Sequence, residues 1–286
     1  MFSTNYYSSR FFNKVSYSNG IVIKSSTDIN KIRSEFLYYS YVPDTIKGCF
    51  VKPYDFRIVE NVASYKMEQI ETPNLAELFF SDKIDDKECK TIFSKIDLFL
   101  KQCNILECDI EEVKKDSFEL IIKKPEDRIK NFTLEGYDLE GLLQRINKAY
   151  HFYSPLRKKW FKKISHGDLC LSNMLWDKEK NSLLFIDPRG ALVENDIYMD
   201  EYYDLAKLSH SIIHDYDKIL LGDFNINDFF KKSFTEYLMS NDICIDLLRV
   251  YEASLFLSMI PLHQDNNYSM LRFADACDNI LKGVNF

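Results

Sequence analysis

The chain has 286 residues, enough for one large domain or two lobes because single cores stop growing at about 250–300 residues, and its 46% apolar content is ample for a core. A formal net charge of −7 and a pI near 5.4 argue against nucleic acid or an anionic membrane surface as the main partner. Seven scattered cysteines (49, 89, 103, 108, 170, 244 and 277) without a CxxC pair indicate neither a disulfide framework nor a zinc site, so a reducing cytoplasm is the expected setting.

The opening MFSTNYYSSRFF lacks a basic segment followed by an apolar one. No stretch reaches the roughly 18 apolar residues of a membrane span, and a soluble, unsecreted protein is expected. Residues 10–16 and 21–26 read as a hairpin turning at Asn19-Gly20, with Lys24 at the end of an apolar strand, where a lysine commonly points to solvent. Residues 28–39 read as a helix capped by Asp28, apolar at Ile29, Ile32, Phe36 and Leu37, with Glu35 on a definable face. Further strands are expected at 48–52, 56–59 and 63–70. Asn74 and Glu77 then form a capping-box-like helix start.

The composition turns helical from Asp82, which places a lobe boundary near residue 71. Cys89, Ile92, Phe93, Ile96, Phe99, Leu100 and Cys103 recur at helical spacing, as do Leu139, Leu142, Leu143, Ile146 and Tyr150. Residues 109–128 are irregular, with a helix break expected at Pro125. The segment SHGDLCLSNMLWDKEKNSLLFIDPRG, residues 165–190, reads as a turn at 166–168 and a hairpin with strands at 174–176 and 183–186. Asn173 follows Asp168 by five residues and Asp187 follows it by nineteen (187 − 168), so the hairpin returns Asp187 to Asp168. Carboxylate and amide oxygens converging in this way suit Mg²⁺, although an isolated His-x-Asp-x-x-x-x-Asn also serves as a polar, helix-capping loop. Beyond Gly190, Glu194, Asp196, Asp200 and Glu201 form an acidic stretch, either a solvated loop or a rim suited to an amine-bearing substrate. His210, His214 and His263 lack a carboxylate cluster and read as packing or surface residues. Helical patterns near 229–238 and 243–262 complete the chain.

HGDLCLSN followed by IDPRG resembles the catalytic loop and metal-binding Asp of the aminoglycoside phosphotransferase and choline kinase group, within the protein-kinase-like superfamily. The resemblance implies an α+β, two-lobed protein-kinase-like fold. Residues 1–70 would form a nucleotide-binding lobe, an antiparallel sheet with one helix, and residues 71–286 a mostly helical catalytic and acceptor-binding lobe. It implies ATP and Mg²⁺ as cofactors and a small-molecule acceptor. Asp168 would orient the acceptor hydroxyl and accept its proton, with His166 bracing the catalytic loop beside it. Asn173 and Asp187 would hold the metal, and Asp204 would support the loop backbone.

Lys24 would contact the nucleotide phosphates. Glu35 would pair with it, but their separation of eleven residues (35 − 24) is short for that pairing, and a solvated helix glutamate is the other reading. Backbone groups at Glu68, Gln69 and Ile70 would meet the adenine edge. In place of a glycine-rich loop, only N–H groups near Ser8 and Ser9 are available to cradle phosphate. Arg189, Glu194 and Asp196 are the candidate acceptor rim. Pro188-Arg189 stands where protein kinases have Phe-Gly, and Leu169-Cys170-Leu171 replaces their Lys-containing segment. Both departures favour phosphoryl transfer to the hydroxyl of a sugar, amino alcohol or aminoglycoside-like metabolite. The reduced phosphate loop instead favours a pseudokinase-like nucleotide-binding module, and a protein kinase is the third reading. The whole pattern looks most like bacterial phosphotransferase-type proteins of surface-polysaccharide or sugar metabolism.

Overall fold

The computed structural model describes residues 13–285. The expected phosphate cradle at Ser8 and Ser9 lies outside the described residues. Strands β1 (Asn13–Ser18), β2 (Ile21–Ser26), β3 (Pro53–Val59) and β4 (Val62–Glu68) form an antiparallel sheet in the order β1-β2-β4-β3. Side chains alternate across β2, which turns Val22, Lys24 and Ser26 inward. On β4 the inward residues include Ala63 and Tyr65, and Tyr65 is the register partner of Lys24.

Two residues separate β2 from helix α1 (Ile29–Tyr41), which is capped by the Asp28 side chain on the Lys31 N–H at 3.0 Å. It buries Ile32, Glu35 and Tyr38, spaced by three along one face. Ile32 packs with Ala63 and Tyr65 beneath the sheet. Tyr38 joins Val42, Ile46 and Phe50 in the large core that continues through the helical part of the chain. A short helix α2 (Asp44–Lys47) precedes residues 48–52, which were expected to be a strand. Only Phe50 makes an isolated bridge there, to Phe185, because this segment packs across the core rather than along the sheet.

The second half is built from α3 (Leu75–Phe80), α4 (Asp86–Gln102), β5 (Ile105–Leu106), α5 (Ile110–Phe118), α6 (Lys124–Ile129), α7 (Leu139–Tyr153), β6 (Lys162–Ile164), β7 (Met174–Asp177), β8 (Ser182–Phe185), β9 (Tyr198–Asp200), α8 (Glu201–Ile212), α9 (Tyr216–Leu221), α10 (Asp228–Ser240), α11 (Ile245–Met259) and α12 (Asn267–Lys282). Helix α11 is buried along almost its whole length and packs against α7, α8 and α12. The expected capping box at α3 is formed, with the Asn74 side chain on the Glu77 N–H and the Glu77 carboxylate on the Asn74 N–H.

Pro125 does not break its helix. A π-helical turn at Glu119–Lys123 joins α5 to α6. Proline lacks an N–H and cannot serve the carbonyl four residues earlier, that of Ile121. The Ser254 hydroxyl donates to this carbonyl at 2.7 Å, so the helix passes the proline with the orphaned acceptor satisfied.

Asp200, expected in the acidic rim, is buried and structural. Arg157 meets it at 2.7 and 2.9 Å, Ser117 and Tyr251 each donate to it at 2.5 Å, and the Tyr202 N–H caps its second oxygen. Burial raises this carboxyl's pKa, but Arg157 outweighs it and keeps Asp200 below the usual carboxylate range.

Candidate active site

Two local devices bring the polar side chains of the 165–190 segment together. The β7–β8 hairpin folds Ile186 back so that its N–H donates to the Asn173 carbonyl at 3.0 Å. Asn173 in turn donates its side-chain amide to the Asp168 carbonyl at 2.9 Å and to the Asp168 carboxylate at 3.2 Å. Gly167 adopts φ +74°, and a Cβ there would stand 2.5 Å from Arg189 Cβ, so only glycine lets the two loop segments close on each other. The same closeness holds at Gly190 (φ +95°), where a Cβ would lie 2.8 Å from the Glu35 backbone nitrogen; the Ala191 N–H bonds the Ser34 carbonyl at 2.9 Å. The DPRG turn is thereby docked on α1.

The pairing of Lys24 with Glu35 is formed, at 2.8 Å, and Lys24 also meets Asp187 at 2.9 Å. Eleven residues suffice because α1 doubles straight back over β2. Two residues of strand advance about 7 Å, and the six residues from Ile29 to Glu35 return about 9 Å. The Tyr65 hydroxyl donates to the same Glu35 oxygen at 3.1 Å. Burial disfavours the Lys24 ammonium, but Asp187 and Glu35 outweigh it and hold the pKa well above the ordinary lysine value. The lysine is only 5% exposed, whereas the Asp187 side chain is 42% exposed, so the carboxylate is the more open member of the pair.

Asp204 on α8 accepts from the backbone N–H groups of His166 at 2.7 Å and Gly167 at 2.8 Å, the supporting geometry expected of it. His166 is fully buried. Its Nε2–H donates to the Ile186 carbonyl at 3.0 Å and its Nδ1 accepts from the Asp168 N–H at 3.3 Å, while burial lowers its pKa and keeps the ring neutral. With both ring nitrogens bonded to backbone, His166 is placed to hold the loop and not to meet a substrate. It is a brace, stacked on Phe50.

The Gln69 N–H donates to the Gly20 carbonyl at 2.9 Å, which removes one of the backbone donors expected to face adenine at Glu68, Gln69 and Ile70. Asp196 accepts from the N–H groups of Leu192 and Val193 at 2.9 and 3.1 Å, closing its own loop. Glu194 is exposed, and Arg189 lies over the Tyr203 ring at 5.7 Å.

Lys207 escaped sequence reasoning. It stands one helical turn after Asp204 on α8, and its Nζ lies 3.0 Å from Asp168 Oδ1. Burial opposes its charge, but Asp168 outweighs burial and raises its pKa. The signal was the i, i+3 spacing of Asp204 and Lys207, which puts both on the face turned to the catalytic loop.

The loop has a second support. The Leu171 N–H donates to Ser211 Oγ at 3.0 Å, and the Ser211 hydroxyl donates to Asp217. Burial pushes the Asp217 carboxyl up to about 6, above its unfolded value of about 3.9. The native state therefore holds this proton more tightly, and stability falls as pH rises between those values. Asp217→Asn is expected to remove about 2–3 kcal/mol of that fall, read as the difference in urea-unfolding free energy between about pH 4 and about pH 7. The same pH slope in both proteins would show that Asp217 does not titrate in this window.

No protein-family model and no curated protein matches the sequence. Solved structures do match. The aminoglycoside phosphotransferase APH(4)-Ia superposes with a TM-score of 0.64 at 10% identity, over 98% of this chain and 93% of that one. Plasmodium vivax ethanolamine kinase gives 0.55 at 14% identity over 96% and 84%, and a choline/ethanolamine kinase family protein from Mesorhizobium loti 0.57 at 12% over 95% and 86%. The fold is that of the aminoglycoside phosphotransferase and choline kinase group: an N-terminal antiparallel sheet joined to a largely helical C-terminal part. No helix among the described residues is long and apolar enough to cross a membrane.

Proposed function

We propose that this protein transfers the terminal phosphoryl group of ATP, with Mg²⁺, to a hydroxyl of a small metabolite. The observation that carries the reading is the chain of contacts that links Lys24 to Asp187 and Asn173 to Asp168, tied together by the Ile186–Asn173 backbone bond, in a kinase-like fold. The donor set fits a hard divalent cation. Asp187 offers a carboxylate half open to solvent, and the Asn173 amide nitrogen is committed to Asp168, which leaves its oxygen for a cation. Mg²⁺ needs few protein ligands because it keeps waters and binds phosphate oxygens. Once bound by Asp187 and Asn173, it would neutralise phosphate charge.

The chain's own residues do the positioning. Lys24, held cationic and rigid between Glu35 and Asp187, offers its ammonium to the nucleotide phosphates. Asp168, fixed by Lys207 and Asn173, aligns the acceptor hydroxyl. The acceptor oxygen bonds to the terminal phosphorus as the bond from phosphorus to the bridging oxygen breaks. The hydroxyl proton passes to the Asp168 carboxylate, and ADP leaves. Rigid alignment and charge complementarity are the main sources of rate in such a transfer.

Mg²⁺-ATP should raise the melting temperature. At a hundredfold excess over Kd the stabilisation is about 2.7 kcal/mol. Asp187→Ala should abolish the Mg²⁺-dependent part, measured by thermal melting with and without chelator. Equal stabilisation by ATP with and without chelator in both proteins would remove Asp187 from the metal site.

A further inference from the structure

Three cationic side chains converge on Tyr203, one of them paired with Asp168, in a protein whose net charge is −7. Lys124, at the start of α6, donates to the Tyr203 hydroxyl at 3.2 Å and lies 5.5 Å from the centre of that ring. Arg189 lies over the same ring at 5.7 Å, its stem packed on Gly167 next to Asp168. Lys207 stands between Tyr203 and Asp168, one turn along α8 from Tyr203. Among the described residues neither Lys124 nor Arg189 forms a salt bridge with a carboxylate; the Arg189 guanidinium otherwise approaches only the Met199 sulfur.

The local potential is positive enough to show on the neighbours. Burial alone would raise the Tyr203 phenol, yet Lys124, Lys207 and Arg189 bring it down to about 8. Burial lowers the Lys124 pKa, and Arg189, Arg128 and Lys207 lower it further. The π turn that carries the helix past Pro125 leads directly into Lys124. Of the acidic stretch after Gly190, three members are engaged elsewhere and Glu194 is exposed: Asp196 closes its own loop, Asp200 is buried on Arg157, and Glu201 faces Lys163 at 3.8 Å.

We propose that the acceptor carries a carboxylate or phosphate group, held by Lys124 and Arg189 at Tyr203 while its hydroxyl meets Asp168. This rests on the phosphotransferase reading above and names its substrate class. Two cations without carboxylate partners suit an oxyanion, with the planar guanidinium giving paired hydrogen bonds and the ammonium a point charge. A protonated amine placed there meets the like charges of Lys124 and Arg189 and is disfavoured.

The test uses acceptors that share a hydroxyl and differ in charge: glycerate and glycerol phosphate, neutral glycerol, and cationic serinol, together with glucuronate, glucose phosphate, glucose and glucosamine. Phosphorylated product is read by mass spectrometry with Mg²⁺-ATP. Anionic members should be the substrates, and the carboxylate and phosphate arms identify which oxyanion is taken. Lys124→Met and Arg189→Gln should each raise KM for that acceptor about ten- to a hundredfold while nucleotide affinity is retained.

A second arm needs no acceptor. With saturating Mg²⁺-AMP-PNP, inorganic sulfate should raise the melting temperature of the wild type and not of Lys124→Met or Arg189→Gln. Phosphorylation confined to glucosamine or serinol, an unchanged KM in both variants, or a sulfate shift absent from the wild type or identical in all three proteins would overturn the inference. None of those results touches nucleotide binding, whereas failure of Mg²⁺-ATP to stabilise the protein would overturn the phosphotransferase reading itself.

Discussion

Asp168→Asn is expected to lower acceptor phosphorylation by about 10²–10⁴-fold while leaving Mg²⁺-ATP affinity nearly unchanged. The substitution keeps the size of the side chain and one oxygen to receive Lys207, which lies 3.0 Å from Asp168 Oδ1. It removes the second carboxylate oxygen, which accepts from the Asn173 amide at 3.2 Å, and sets one amide N–H against another there. The loop should therefore remain folded, since its backbone is held independently by Asp204, His166 and Ser211. What disappears is the group that, in the proposed function, would align the acceptor hydroxyl and take its proton. Titration calorimetry with Mg²⁺-ATP and single-turnover product formation separate the two effects. Full turnover would remove Asp168 from the chemistry, and loss of nucleotide binding would assign it to the metal site.

Lys24→Met should produce the largest combined loss. Lys24 and Glu35 are both buried, and removing one member of such a pair leaves an uncompensated charge, a cost of about 3–5 kcal/mol. Affinity for ATP should fall about a hundredfold through the lost phosphate contact, whereas adenosine, which has no phosphate, should bind nearly as before. Adding Glu35→Gln should restore most of the melting temperature, because a neutral amide can still accept from the Tyr65 hydroxyl, without restoring ATP affinity. Equal losses for ATP and adenosine, or no recovery of stability in the double variant, would show that Lys24 supports the adenine pocket or the fold by another route.

The site was legible where its determinants lie close in sequence. Asp168 and Asn173 share one loop, and the following hairpin returns Ile186, next to Asp187, to the Asn173 backbone, a closure that the spacing predicts. Glu35 was ambiguous, because its distance from Lys24 depends on how sharply α1 folds back, and only the inward face shared by Ile32, Glu35 and Tyr38 decides it. Lys207 was invisible for a different reason. A lone lysine on a helix is ordinarily solvated, and this one is buried only because α8 is covered by α11 and the catalytic loop.

The acidic stretch after Gly190 misled because charge in a sequence carries no information about its partner. Asp196 closed its own exposed loop, and Asp200 found Arg157, 43 residues away. Pro125 misled because a carbonyl acceptor 133 residues from its rescuing hydroxyl cannot be paired by eye.

The most direct test of the account is phosphorus NMR of wild-type protein incubated with Mg²⁺-ATP and the acceptor panel, set beside Asp168→Asn. The account predicts loss of the terminal phosphate signal of ATP, appearance of ADP, and a new phosphate-ester signal on an acceptor hydroxyl, all strongly slowed in the variant. ATP that remains intact with every acceptor, or that yields only inorganic phosphate at equal rates in both proteins, would contradict it.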